Sequence, residues 1–111
     1  MAAKKDVLQK IVALKRQSAE QQVRTLQLDV ERIELSISEL AASLNAMDEG
    51  KAGFEAHRLA EASGYVGKVI RDMGLRRAAL TAKQSELHEA RESLKRVFHS
   101  QERLSEAGPK G

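Results

Sequence analysis

The sequence has no cysteine, no tryptophan, one proline and only three aromatic residues, Phe54, Tyr65 and Phe98, in 111 residues. Without cysteine there are no disulfides and no thiolate metal sites, and the composition fits a reducing cytosol. The scarcity of aromatic and turn residues argues against a sheet domain, whose strands draw on aromatic and β-branched side chains and whose turns draw on Gly and Pro. Pro109 lies within the last three residues, so no proline interrupts the chain before it. No run of about 18 apolar residues occurs, which excludes a spanning helix, and Met1–Lys10 has no apolar core of signal-peptide length. What remains is a chain rich in Ala, Leu, Glu, Lys, Arg and Gln, 32% charged, with a net charge of +3. With helical periodicity, that composition predicts long helices that bury a thin seam.

The periodicity is present. Val23, Val30, Ile37 and Leu44 recur every seven residues, and so do Ala19, Leu26, Ile33, Leu40 and Met47. Read as a and d positions, they form a seam that needs another helix to cover it. Val12 extends the d series and Arg16 breaks the a series. A second seam has Leu59, Val66, Met73, Leu80, Leu87 and Leu94 at a, with Ala62, Val69, Arg76, Lys83, Ala90, Val97 and Leu104 at d. Arg76 and Lys83 make its middle polar.

Between the seams lies Asp48-Glu49-Gly50-Lys51-Ala52-Gly53, the strongest turn signal in the chain. Glycine supplies the left-handed conformation that ends a helix, and a short link sets two helices antiparallel. The fold class predicted is therefore all-α, two long helices forming an antiparallel coiled-coil hairpin. The hairpin covers residues 1–107, with helix 1 at about 4–48, the turn at about 49–53 and helix 2 at about 54–106. Residues 108–111 are read as a disordered tail.

Charge supports the fold-back. Residues 1–24 carry +4, residues 25–65 carry −5, residues 66–83 carry +4 and residues 84–111 are neutral. With a turn near residue 51, position i faces roughly 103 − i. That pairing sets Ile37 beside Val66 and Val30 beside Met73. It brings Asp29, Glu31, Glu34 and Glu39 close to Lys68, Arg71 and Arg76. A parallel self-dimer would stack each block on its own sign. Gly64, Gly67 and Gly74 weaken helix 2 by roughly 1 kcal/mol each against Ala. They are read as a tolerated weak stretch, or as a bend or a place where another chain comes close.

Signals for chemistry are weak. The carboxylates lie on solvated helix faces, and a two-helix hairpin offers no cleft to shift their pKa. His57, His88 and His99 are not spaced as helical metal ligands. Gly67-Lys68 lacks the spacing of a phosphate loop, and Val69 stands where Ser or Thr is required. No catalytic, cofactor or metal site is expected, and the chain is not expected to be an enzyme. Lys4, Lys5, Lys10, Lys15 and Arg16 form a basic end of the kind phosphates attract. Acids interrupt it, however, and no aromatic is interleaved for base stacking, so nucleic acid is not the expected partner. Leu14, Leu28 and Leu35 fall at f, opposite the seam. Phe54, Tyr65, Ile70 and Phe98 also fall off a and d. Of these, Leu28 and Leu35, one heptad apart, and Tyr65 are the candidates for partner contact.

Three segments carry a resemblance to a known family: Val7-Leu8-Gln9-Lys10-Ile11-Val12-Ala13-Leu14-Lys15, the centre Tyr65…Val69-Ile70…Met73, and Leu94-Lys95-Arg96-Val97-Phe98. With the lone hairpin and both termini at one end, the chain resembles the FliJ family of flagellar export proteins, the stalk components of the type III export apparatus. Their injectisome counterparts look similar. The resemblance covers nearly the whole chain at the level of pattern, although the chain is shorter than many members and its open end is less uniformly basic.

The resemblance implies a non-catalytic stalk in the cytoplasm, associated with the inner-membrane export apparatus. Such a stalk inserts into a hexameric export ATPase and promotes its assembly and hydrolysis. It also touches the export gate membrane protein and escorts export chaperones. Carried onto this sequence, ATPase contact falls to Lys4, Lys5, Lys10, Lys15 and Arg16, with Arg91, Lys95 and Arg96 opposite. Gate or chaperone contact falls to Leu28, Leu35 and Tyr65. The alternatives are a structural or adaptor coiled coil or small helical chaperone, and a nucleic-acid-binding helical arm.

Overall fold

The computed structural model describes residues 2–50 and 56–106 as backbone, and the side chains of residues 4–47 and 61–106. Two helices account for all of it: α1 (Ala2–Gly50, 49 residues) and α2 (Ala56–Glu106, 51 residues). Among the described residues there is no strand, and the fold is an antiparallel coiled-coil hairpin. α1 continues through Gly50. The rest of the expected turn, Lys51 to Gly53, and Phe54 lie outside the described residues, as does the tail from Ala107.

Packing divides the hairpin into two units, residues 29–83 and residues 1–28 with 84–111. In the unit of residues 29–83, Val30, Val69 and Met73 are buried. Ile33, Ile37, Leu40, Leu44, Met47, Ala62, Val66 and Leu80 are half-buried. These are the a and d positions of both seams. The helices are tied by Ser43 Oγ and Tyr65 Oη at 3.2 Å and by Lys83 Nζ to Asp29 Oδ2 at 4.0 Å.

In the other unit, Ala19, Leu26, Leu87 and Ala90 are buried, and Val12, Val23, Leu94, Val97 and Leu104 are half-buried. Arg16 crosses between the helices here. Its Nη1 donates to Gln101 Oε1 at 3.2 Å and its guanidinium carbon lies 4.7 Å from the centroid of the Phe98 ring. No described side chain is completely shielded from solvent, because each residue of a two-helix seam keeps an open edge.

These contacts correct the register. A pairing of i with 103 − i sets Asp29 beside Gly74 and Arg16 beside Leu87. Instead Asp29 meets Lys83, and Arg16 meets Phe98 and Gln101. The partners of Ser43, Asp29 and Arg16 lie five, nine and at least eleven residues further along α2 than the expected pairing, more than one helical turn in each case. A slip close to one heptad keeps a facing a and d facing d, so the apolar pattern is satisfied in either register. The expected charge pairing changes with it. Among the described residues Lys68, Arg71 and Arg76 form no ion pair with Glu31, Glu34 or Glu39.

Arg76 is a second correction. Its seven-residue spacing places it at d, yet it is exposed. A long side chain swings its guanidinium to water rather than leave a charge unpaired in the seam. α2 runs unbroken through Gly64, Gly67 and Gly74.

Candidate functional site

The basic candidates all belong to the unit of residues 1–28 with 84–111, but they are not equivalent. Lys4, Lys10, Lys15 and Arg91 are exposed, and Lys5 is half-buried. None of these five is ion-paired to another described residue. Arg16 is committed to the fold. Besides its contacts on α2, its Nε donates to Glu20 Oε1 at 2.7 Å. Lys95 Nζ donates to Glu92 Oε1 at 3.2 Å. That hydrogen bond, aided by the ammonium charge, holds the Glu92 carboxyl below its ordinary range. The pair is therefore intact at neutral pH and is given up only as pH falls through the carboxylate range. Arg96 Nη2 donates to Ser93 Oγ at 2.9 Å.

Position along the helices separates the basic residues further. Gln9, Val12 and Ala13 of α1 line one shallow groove of about 520 Å³ together with Phe98, Gln101, Glu102, Leu104 and Ser105 of α2. The level of Lys10 is thus that of residues 98–105. Arg96 and Arg91 lie about 7 and 15 Å before Gln101 along α2, at 1.5 Å per residue. The geometry gives two basic patches at successive levels, Lys4–Lys15 on α1 and Arg91–Arg96 on α2. Acids stand among them: Asp6, Glu102 and Glu106 are exposed.

The apolar candidates stand clear of the seam. Leu28 is 53% exposed in its unit, and Leu35 is 61% exposed in the other. Tyr65 is exposed along its ring while its hydroxyl is held by Ser43 of α1. That tie was not readable from heptad position, because it depends on register.

Other apolar side chains are exposed as well. Val7, Leu8 and Ile11 are exposed near the start of α1, with Leu14 beyond them, and Leu75 is exposed on α2. The signal for Val7 and Ile11 in the sequence is a second periodic row on α1, at fixed spacing from Leu14 and Leu28.

Among the described residues no group of three His, Asp or Glu side chains could hold a metal. His88 is exposed, and His99 Nδ1 lies 3.8 Å from Glu102 Oε2 on an open face. His57 lies outside the described side chains. No described helix is long and apolar enough to cross a membrane. What the arrangement offers is contact: a basic patch beside an apolar row on one helix. No protein-family model, curated protein or solved structure matches the chain.

Proposed function

We propose that this chain is a non-catalytic coiled-coil stalk of the type III (flagellar) protein export apparatus, inserting into the hexameric export ATPase and linking it to the export gate and to substrate chaperones. The observation that carries the reading is the state of the basic residues in the unit holding both helix ends. Lys4, Lys10, Lys15 and Arg91 are exposed and take no ion-pair partner among the described residues. Such charges are available to a ring of opposite sign and add chiefly to association rate and orientation. Arg16, Lys95 and Arg96 are the less available members of the set, since their donors are already used within the hairpin. Leu28 in one unit, and Leu35 and Tyr65 in the other, are the proposed gate or chaperone contacts.

The test is the hydrolysis rate of a purified export ATPase with and without the hairpin. The wild-type chain stimulates it. Lys4→Glu with Arg91→Glu loses most of that stimulation while far-UV circular dichroism is unchanged. Full stimulation by a correctly folded variant overturns the assignment of these residues, and no stimulation by the wild-type chain overturns the stalk reading itself.

The exposed apolar side chains favour one alternative, an adaptor coiled coil that assembles with other helices into a larger bundle. Sedimentation separates the two. A monomer that stimulates the ring is the stalk, and a stable higher oligomer is the bundle.

A further inference from the structure

We infer that the outer face of α1 between Val7 and Leu28 docks an acidic amphipathic helix of another protein. Val7, Ile11, Leu14, Ser18, Gln21, Thr25 and Leu28 follow one another at alternating steps of four and three. That is the spacing of a coiled-coil seam, on a part of the helix that the hairpin does not use. All seven are exposed, with Val7 54% and Leu14 63% exposed. In a chain that is 32% charged, the row carries no charge from end to end. The alternation meets a charge only beyond its limits, at Lys4 before it and Arg32 after it. All seven residues belong to one packing unit.

The flanks choose the occupant. The positions bordering the row hold Leu8, Lys10, Lys15, Gln17, Gln22 and Arg24, with Asp29 beside Leu28 at the far end. Asp29 already faces Arg32 and Lys83, and every other charge on the border is positive. Lys10, Lys15 and Arg24 are exposed and unpaired among the described residues. Residues flanking a seam set partner choice by charge. A helix with Glu or Asp at its own flanking positions is matched to this border. A second copy laid parallel on the row would set Lys10 against Lys15 and is disfavoured. A lipid surface wants a broad apolar face, and Ser18, Gln21 and Thr25 interrupt this narrow one. The inference shares Lys10, Lys15 and Leu28 with the stalk reading, together with the premise that the chain works by contact. It does not require an export ATPase.

The probe is a synthetic helical peptide of about three heptads with Leu at both seam positions and Glu at both flanks. The control peptide has Lys at the flanks. Binding to the full chain is followed by fluorescence anisotropy. The Glu peptide binds and the Lys peptide does not. Ile11→Ser with Leu14→Ser weakens binding roughly tenfold or more, while the hairpin stays folded and its thermal midpoint falls only by the small helix-propensity cost of serine, because both side chains face solvent. Lys10→Glu with Lys15→Glu shifts preference to the Lys peptide.

Equal binding of the two peptides, or unchanged affinity in the Ile11/Leu14 variant, overturns the proposal. So does binding to phosphatidylglycerol vesicles that the Ile11/Leu14 variant abolishes while neither peptide binds, which would make the face a membrane surface. A dimer in sedimentation that the same variant dissociates would assign the face to a second copy and also overturn it. No ATPase stimulation by the wild-type chain, with peptide binding intact, would sink the stalk reading alone and leave this one standing.

Discussion

Arg16 and Ser36 show how differently a polar side chain fares at a two-helix seam. Arg16 breaks the apolar series of α1 but is satisfied by Glu20, by Gln101 across the seam and by the face of Phe98. Its charged end stays partly in water, so the cost of burial is small. Ser36 is in the opposite position. Its Oγ is shielded and has no hydrogen-bond partner, and a hydroxyl in that state costs about 1 kcal/mol or more. Serine is also a poorer helix former than alanine by about 0.5 kcal/mol. Ser36→Ala is therefore expected to stabilise the hairpin by about 1 kcal/mol. Urea denaturation checks this through a higher midpoint at unchanged slope. A lower midpoint would mean that the hydroxyl has a partner after all.

At the scale of a helix, Met73 and Gly74 are adjacent on α2 and predict opposite effects. Met73 is buried in the seam, and its truncation to Ala is expected to destabilise by about 2–3 kcal/mol. A Cβ added at Gly74 meets no heavy atom within 4 Å, so Gly74→Ala is expected to stabilise by about 1 kcal/mol through backbone entropy alone. Leu35→Ala, on the exposed side of α1, should fall within about 0.5 kcal/mol of wild type. Thermal melts of the three variants check the set. A large loss at Leu35 would place that residue in a seam.

The two seams themselves were legible in the sequence, because a period of seven admits few other readings and the buried residues Val30, Met73, Leu87 and Ala90 are all at its a and d positions. Arg76 was not legible, since spacing assigns a position to a residue but does not say whether a long charged side chain will accept it. The outer row of α1 was seen only at Leu14 and Leu28. Ser18, Gln21 and Thr25 carry no apolar signal, and what marks the row is the absence of charge along it.

At the scale of the whole molecule, the hairpin was legible but its register was not. A heptad slip costs the apolar seams little, so only specific cross-helix contacts can fix the register, and charge blocks are too coarse to do it. The acidic block of α1 lies within a heptad or two of bases in either register. The discriminating pair is Asp29 with Lys83, 4.0 Å apart, against Asp29 with Arg76, the expected neighbourhood. Asp29 also lies 3.5 Å from Arg32 on its own helix, so single substitutions mix several effects. A double-mutant cycle removes them.

Alanine cycles are expected to give a coupling of about 0.3–1 kcal/mol for Asp29–Lys83, the range of partly exposed pairs, and none resolvable for Asp29–Arg76. The Asp29–Lys83 coupling should shrink in high salt, since the pair is partly open to solvent. The reverse result, coupling to Arg76 and none to Lys83, would restore the pairing about residue 51. The cycle therefore decides the register of α1 against α2 in the unit of residues 29–83, where the apolar seams alone leave two pairings open.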